Sequence, residues 1–100
     1  MKNVIQLVSL ELNDKSMVGD WKIMSDHITE ELTNNADGFI YRDSAIGEDG
    51  KVYCILKWES QEKVDAFEKI LQSDEFKENM VEFAKIANVE TMKTETLKVF

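Results

Sequence analysis

Two segments of this chain are apolar on both sides at the period of a β-strand, and this constrains the fold more than any other feature. In residues 4–12, Val4, Val8, Leu10 and Leu12 fall on one face and Ile5 and Leu7 on the other. In residues 51–59, Val52, Cys54, Leu56 and Trp58 share a face, opposed by Tyr53 and Ile55. A strand that is apolar on both faces is covered on both, so these two segments belong at the centre of a sheet. One hundred residues hold one core, and residues 1–100 are read as a single domain.

The other elements follow from spacing and punctuation. Asn13 to Ser16 is a polar turn with Ser16 as helix N-cap, after which Val18, Trp21, Met24 or Ser25, Ile28 and Leu32 recur at helical spacing to about Asn35. Residues 39–46 carry aromatic and β-branched weight and form a hairpin with 51–59 across Gly47-Glu48-Asp49-Gly50. Ser60 caps a second helical region with Val64, Phe67, Ile70 and Leu71 on its stripe. This helix is broken near Ser73, restarts with Ser73 as cap through Phe76, Met80, Phe83 and Ala84, and is closed by Asn88. Residues 90–100 alternate as a last strand. The order βαββαβ with right-handed crossovers is an α+β, ferredoxin-like domain: a four-stranded antiparallel sheet with the helices on one face. Ile5, Leu7, Tyr53, Ile55, Leu97 and Val99 then leave an apolar patch on the bare face, for which a second copy of the chain is the simplest cover.

Composition excludes several functions. A net charge of −8, with acids spread along the chain, argues against nucleic acid and anionic membranes. No run approaches a membrane span. One cysteine and one histidine give no disulfide framework and no metal-site spacing, and four glycines form no phosphate-cradling loop, so neither cofactor nor metal is expected. A single cysteine and a start without a long apolar run point to the cytoplasm.

The stretch Tyr53-Cys54-Ile55-Leu56-Lys57-Trp58-Glu59-Ser60-Gln61-Glu62, followed by Ser73-Asp74-Glu75-Phe76, resembles the antibiotic biosynthesis monooxygenase-like family, and the element order agrees along the whole chain. The resemblance implies a homodimeric α+β barrel with a small-molecule cavity between sheet and helices. It also implies activities that include cofactor-independent oxidation of polycyclic phenols and haem degradation. The haem degraders' Asn, Trp and His roles fall near Val8, Ile70 and Met80, none of which keeps the residue required. In the quinone-forming oxygenases an Asn precedes the strand-terminal Trp by four residues; here Trp58 is retained and Cys54 takes the Asn position. A thiol is a weaker hydrogen-bond donor than an amide.

Three residues are candidates for catalysis. Trp58 offers a cavity wall with one N–H donor, or is a core aromatic. Cys54 is a nucleophile only with a base or cation beside it, and otherwise a small buried hydrophobe. His27 is the natural general base in a chain with one histidine, or a boundary residue at the edge of the first helix's stripe. Tyr41, Tyr53, Arg42 and Asn79 are the remaining polar groups within reach of a pocket or dimer seam. Arg42, the single arginine, suits a carboxylate on a ligand or partner, and among twenty acids a structural ion pair is its expected use. The sequence thus reads as a cofactor-independent monooxygenase acting on a small aromatic or enolisable molecule. The alternatives are a non-catalytic ligand-binding or stress-response dimer and a haem-binding protein with His27 as ligand.

Overall fold

A computed structural model describes residues 3–73 and 77–100. The strands are β1 (Val4–Leu12), β2 (Phe39–Ile46), β3 (Val52–Trp58) and β4 (Ala87–Lys98); the helices are α1 (Val18–Asn35), α2 (Gln61–Leu71) and α3 (Lys77–Ile86). The sheet is antiparallel throughout, in the order β2-β3-β1-β4, so the two doubly apolar strands are central as their pattern requires. Val4 pairs with Trp58, Gln6 with Leu56, Val8 with Cys54 and Leu10 with Val52. These pairs face the helices, while Ile5, Leu7 and Ser9, opposite Lys57, Ile55 and Tyr53, face away.

The helix side holds the core. Val52 and Trp58 are fully enclosed, and Leu10, Val64, Leu32, Val4 and Trp21 are nearly so. Trp21, Ser25 and Leu32 are the buried residues of α1, spaced as the sequence pattern requires. Ser60 caps α2, its hydroxyl accepting from the Lys63 amide. Gly38, at φ +82°, takes a conformation that other residues resist, and a side chain there would run into the Lys63 stem.

Several boundaries differ from the sequence reading. Asp14, not Ser16, opens the first helical region: its carboxylate accepts the Ser16 amide and caps a 3-10 turn at Lys15–Met17 that leads into α1. The Asp14 carboxylate reaches the free amide two residues on, so the Ser16 hydroxyl is not needed. The second helical region is broken as expected, α2 ending at Leu71 and the Ser73 hydroxyl donating to the Ile70 carbonyl at 2.6 Å; the residues that Ser73 is expected to cap lie outside the described residues. Asp74, Glu75 and Phe76 of the family-like step lie outside the described residues. Asn88 does not close α3, because β4 begins at Ala87 without a loop. The cap comes instead from the distant Asn13, whose Nδ2 donates to the Ala84 and Lys85 carbonyls at 2.8 and 2.9 Å and whose amide donates to Ile86. These bonds satisfy carbonyls that a helix end leaves without partners.

Candidate functional site

Strand alternation brings four residues of β3 to the helix side, and Trp58 is the last of them. Its ring meets Phe39 edge-on at 5.6 Å and Phe67 of α2 at 5.2 Å. An indole buried this completely needs an acceptor for its N–H. Gln6, which pairs with Leu56 on the neighbouring strand, supplies it: Trp58 Nε1 donates to Gln6 Oε1 at 2.8 Å. That bond orients the amide, so Gln6 Nε2 is turned toward α2 and donates to Glu68 Oε1 at 3.4 Å. A buried indole, a buried amide and a solvent-exposed carboxylate thus form one chain from the core to the surface. An amide nitrogen carries two hydrogens, and Glu68 takes one. Next to Gln6 and Val8 on the helix side stand Thr96 and Thr94 of β4, both exposed, so this end of the layer is open.

The second cluster lies over β2 and β3. Arg42, half-buried on the helix side, donates from Nη1 to the Ser25 carbonyl at 3.1 Å, to Ser25 Oγ at 2.5 Å and to Thr29 Oγ1 at 3.1 Å. Its Nη2 donates to Cys54 Sγ at 3.2 Å. Burial pushes the Cys54 thiol above its ordinary pKa, and the Arg42 charge and the Ser44 hydroxyl only partly oppose this, so the sulfur is held as a neutral thiol. Trp21 Nε1 donates to Ser44 Oγ at 3.2 Å, and Phe83 packs against the Trp21 ring at 5.9 Å.

Trp58 and Cys54 therefore share one layer, as their spacing required, whereas His27 is exposed on the outer side of α1 and joins neither cluster. Tyr41 is exposed and Tyr53 half-buried on the helix-free side of the sheet, and Asn79 is exposed on α3. Arg42 corrects an expectation: among the described residues the ion pairs are Lys63–Asp37 and Lys85–Glu82, and Arg42 is in neither. The sheet turns its side chain inward toward α1, where its neighbours are neutral. In the sequence Gln6, Glu68 and Ser44 carry no motif, and Ser25 is marked only as a position on the stripe of α1, because isolated polar residues carry no spacing of their own. The one signal was Gln6 itself, an amide interrupting the apolar face of a central strand. Among the described residues no group of three or more His, Cys, Asp or Glu is placed to hold a metal ion. No described helix is long and apolar enough to cross a membrane.

No family model and no curated protein matches the sequence. Solved structures match its fold. One provisionally named an antibiotic biosynthesis monooxygenase, from Nitrosomonas europaea, superimposes with a TM-score of 0.77 at 10% identity, covering 98% of this chain and 90% of the other. Another given that provisional name, from Caulobacter crescentus CB15, has a TM-score of 0.76 at 12% identity, covering 99% and 91%. A Bacteroides thetaiotaomicron VPI-5482 protein described as a possible oxidoreductase has a TM-score of 0.72 at 14% identity, with 98% of each chain covered. With four antiparallel strands in ferredoxin-like order and helices on one side, the chain has the ferredoxin-like fold that these solved structures share.

Proposed function

We propose that the protein is a cofactor-independent monooxygenase that oxidises a small aromatic or enolisable molecule on the helix side of its sheet. The observation that carries this reading is the Trp58–Gln6–Glu68 chain, in which a buried, oriented amide is linked to an exposed carboxylate next to the exposed threonines of β4. In such a reaction an activated methylene becomes a carbonyl: one oxygen atom of O2 enters the product, and the other leaves as water with the two hydrogens removed. The substrate anion supplies the electrons, so the protein has to take a proton, hold an oxyanion and limit water. Glu68 is the base, the second N–H of Gln6 is the donor to the oxyanion, and Trp58 is a positioning residue that fixes the amide. Gln6 would thus do from β1 what the family's amide, replaced here by Cys54, does from β3.

The homodimer belongs to the same proposal. It is supported by the helix-free face, where Ile5, Leu7, Tyr53 and Ile55 are half-buried and Leu97 is exposed, with a second copy as cover. A second functional reading, a non-catalytic ligand-binding dimer, is favoured by one observation: Trp58 is wholly enclosed, and its single donor is already used within the core.

Oxygen-electrode assays with anthrone- and hydroquinone-like substrates separate the two. Uptake is expected without added flavin, iron or nicotinamide, with kcat lowered by Gln6→Leu and by Glu68→Gln. Uptake abolished by His27→Ala and unaffected by Glu68→Gln would return the base to the histidine. Ligand binding without uptake across the panel would leave the non-catalytic reading standing.

A further inference from the structure

A cleft of about 230 Å³ lies between the first half of α1 and the edge strand β2, on the opposite flank of the helix layer from the Gln6–Glu68 chain. One end is apolar, formed by Val18, Ile46 and the Trp21 ring. The other end carries the hydroxyls of Ser25 and Ser44. Directly behind Ser25 stands Arg42, whose four recorded acceptors, two from Ser25 and one each from Thr29 and Cys54, are all uncharged.

In a chain with twenty acids and one arginine, a guanidinium held away from every described carboxylate is unusual, because a half-buried charge is ordinarily paired. Cys54 does not neutralise it, since burial keeps that sulfur protonated. Ser25 Oγ accepts from Arg42 at 2.5 Å, which leaves its own hydrogen as a donor strengthened by the charge behind it. Ser44 Oγ accepts from the Trp21 indole, and its hydroxyl also bears on the Cys54 sulfur, so Ser25 is the free donor at this end and Ser44 a polar neighbour. Of the lining residues Lys22 is cationic and Asp26 anionic, so these two offset each other and the Arg42 charge is left over.

We propose that this cleft binds a small planar monoanion, a carboxylate on an unsaturated body about one ring in size, with the body against Trp21 and the carboxylate on the Ser25 hydroxyl, beside Ser44, in front of Arg42. The volume limits the ligand, because clefts that enclose drug-sized molecules start at about 300 Å³. The proposal does not depend on the oxygenase reading, since binding here is measured without turnover and on the other flank of the layer.

The test uses the intact protein with benzoate as probe and benzamide as its neutral isostere, followed by calorimetry and by the two indole N–H resonances in NMR. Benzoate is expected to shift the Trp21 resonance saturably, leave that of Trp58 in place, and bind about tenfold or more tightly than benzamide, the ratio a hydrogen bond to a charged group supports. Arg42→Gln should remove that preference and Arg42→Lys should keep part of it. Where Arg42→Gln does not fold, Ser25→Ala serves in its place, and should weaken benzoate while leaving benzamide unchanged. Equal affinity for the two probes, a preference that survives Ser25→Ala, or an unmoved Trp21 resonance would overturn the proposal.

Discussion

The helix sides of β3 and β4 belong to one sheet, yet they meet different surroundings. On β3, Val52, Cys54, Leu56 and Trp58 are all buried, under the aromatic rings of Phe39 and Phe67 and the inward face of α1. On β4 only Ala87 is buried, and Thr94, Thr96 and Lys98 are exposed although they point the same way. The difference teaches that the helix layer here has two tasks. Over β3 it closes a core whose loss would unfold the domain. Over β4 it leaves a polar margin, and Gln6 and Glu68 connect the two regions.

The largest expected effect tests the closed half. Trp58→Ala removes the ring beneath two others and the donor that holds Gln6, and should cost about 3–5 kcal/mol in urea unfolding. Survival of that change with little loss would break the contrast at its firmest point. Next is the face without helices. Ile55→Lys puts a charge in the middle of the proposed dimer seam, where an unpaired buried charge costs about 3–5 kcal/mol, and light scattering should show dimers giving way to monomers. A wild-type protein that scatters as a monomer at micromolar concentration would remove the second copy from the account.

Gln6→Leu tests the connection. It leaves the Trp58 N–H buried without an acceptor, which should cost about 1–3 kcal/mol and lower oxygen uptake together. Smaller still is a pH effect in the closed half. An unfolded thiol titrates near 9.0, and the buried Cys54 titrates above that because burial disfavours the thiolate. Above the unfolded value the folded state therefore holds the extra proton. Stability should fall as pH rises past about 9 until the folded thiol also ionises, and stay constant on this account below it. Comparing wild type with Cys54→Ala between pH 7 and 10 isolates that slope; parallel curves would mean that the thiol is not shielded. The smallest effect belongs to the open half: Thr96→Ala should change stability by no more than about 0.5 kcal/mol. A larger loss would mean that β4 is covered on its helix side in solution.

Much of this could be read from the chain alone, for reasons local to each segment. Alternation in 4–12 and 51–59, with apolar residues on both sides, determined which strands are central, because each side of a central strand must be buried independently of what buries it. Stripes at helical spacing located α1 and α2, and Ser60 marked the start of α2. That Cys54 and Trp58 share a face follows from the period of two. Tertiary structure decided the rest, where the partner of a group lies far away in sequence. Asn13 caps α3 across some seventy residues, and Trp58 finds its acceptor fifty-two residues earlier in Gln6. Arg42 meets Ser25, Thr29 and Cys54 instead of a carboxylate because the side of β2 on which it falls is the side that α1 covers. His27 looks like a base in the sequence and lies on the outer side of α1 in the fold, a placement that depends on which stripe of the helix the sheet buries. Composition and spacing specify what a segment needs; only the packed chain specifies which distant group meets that need.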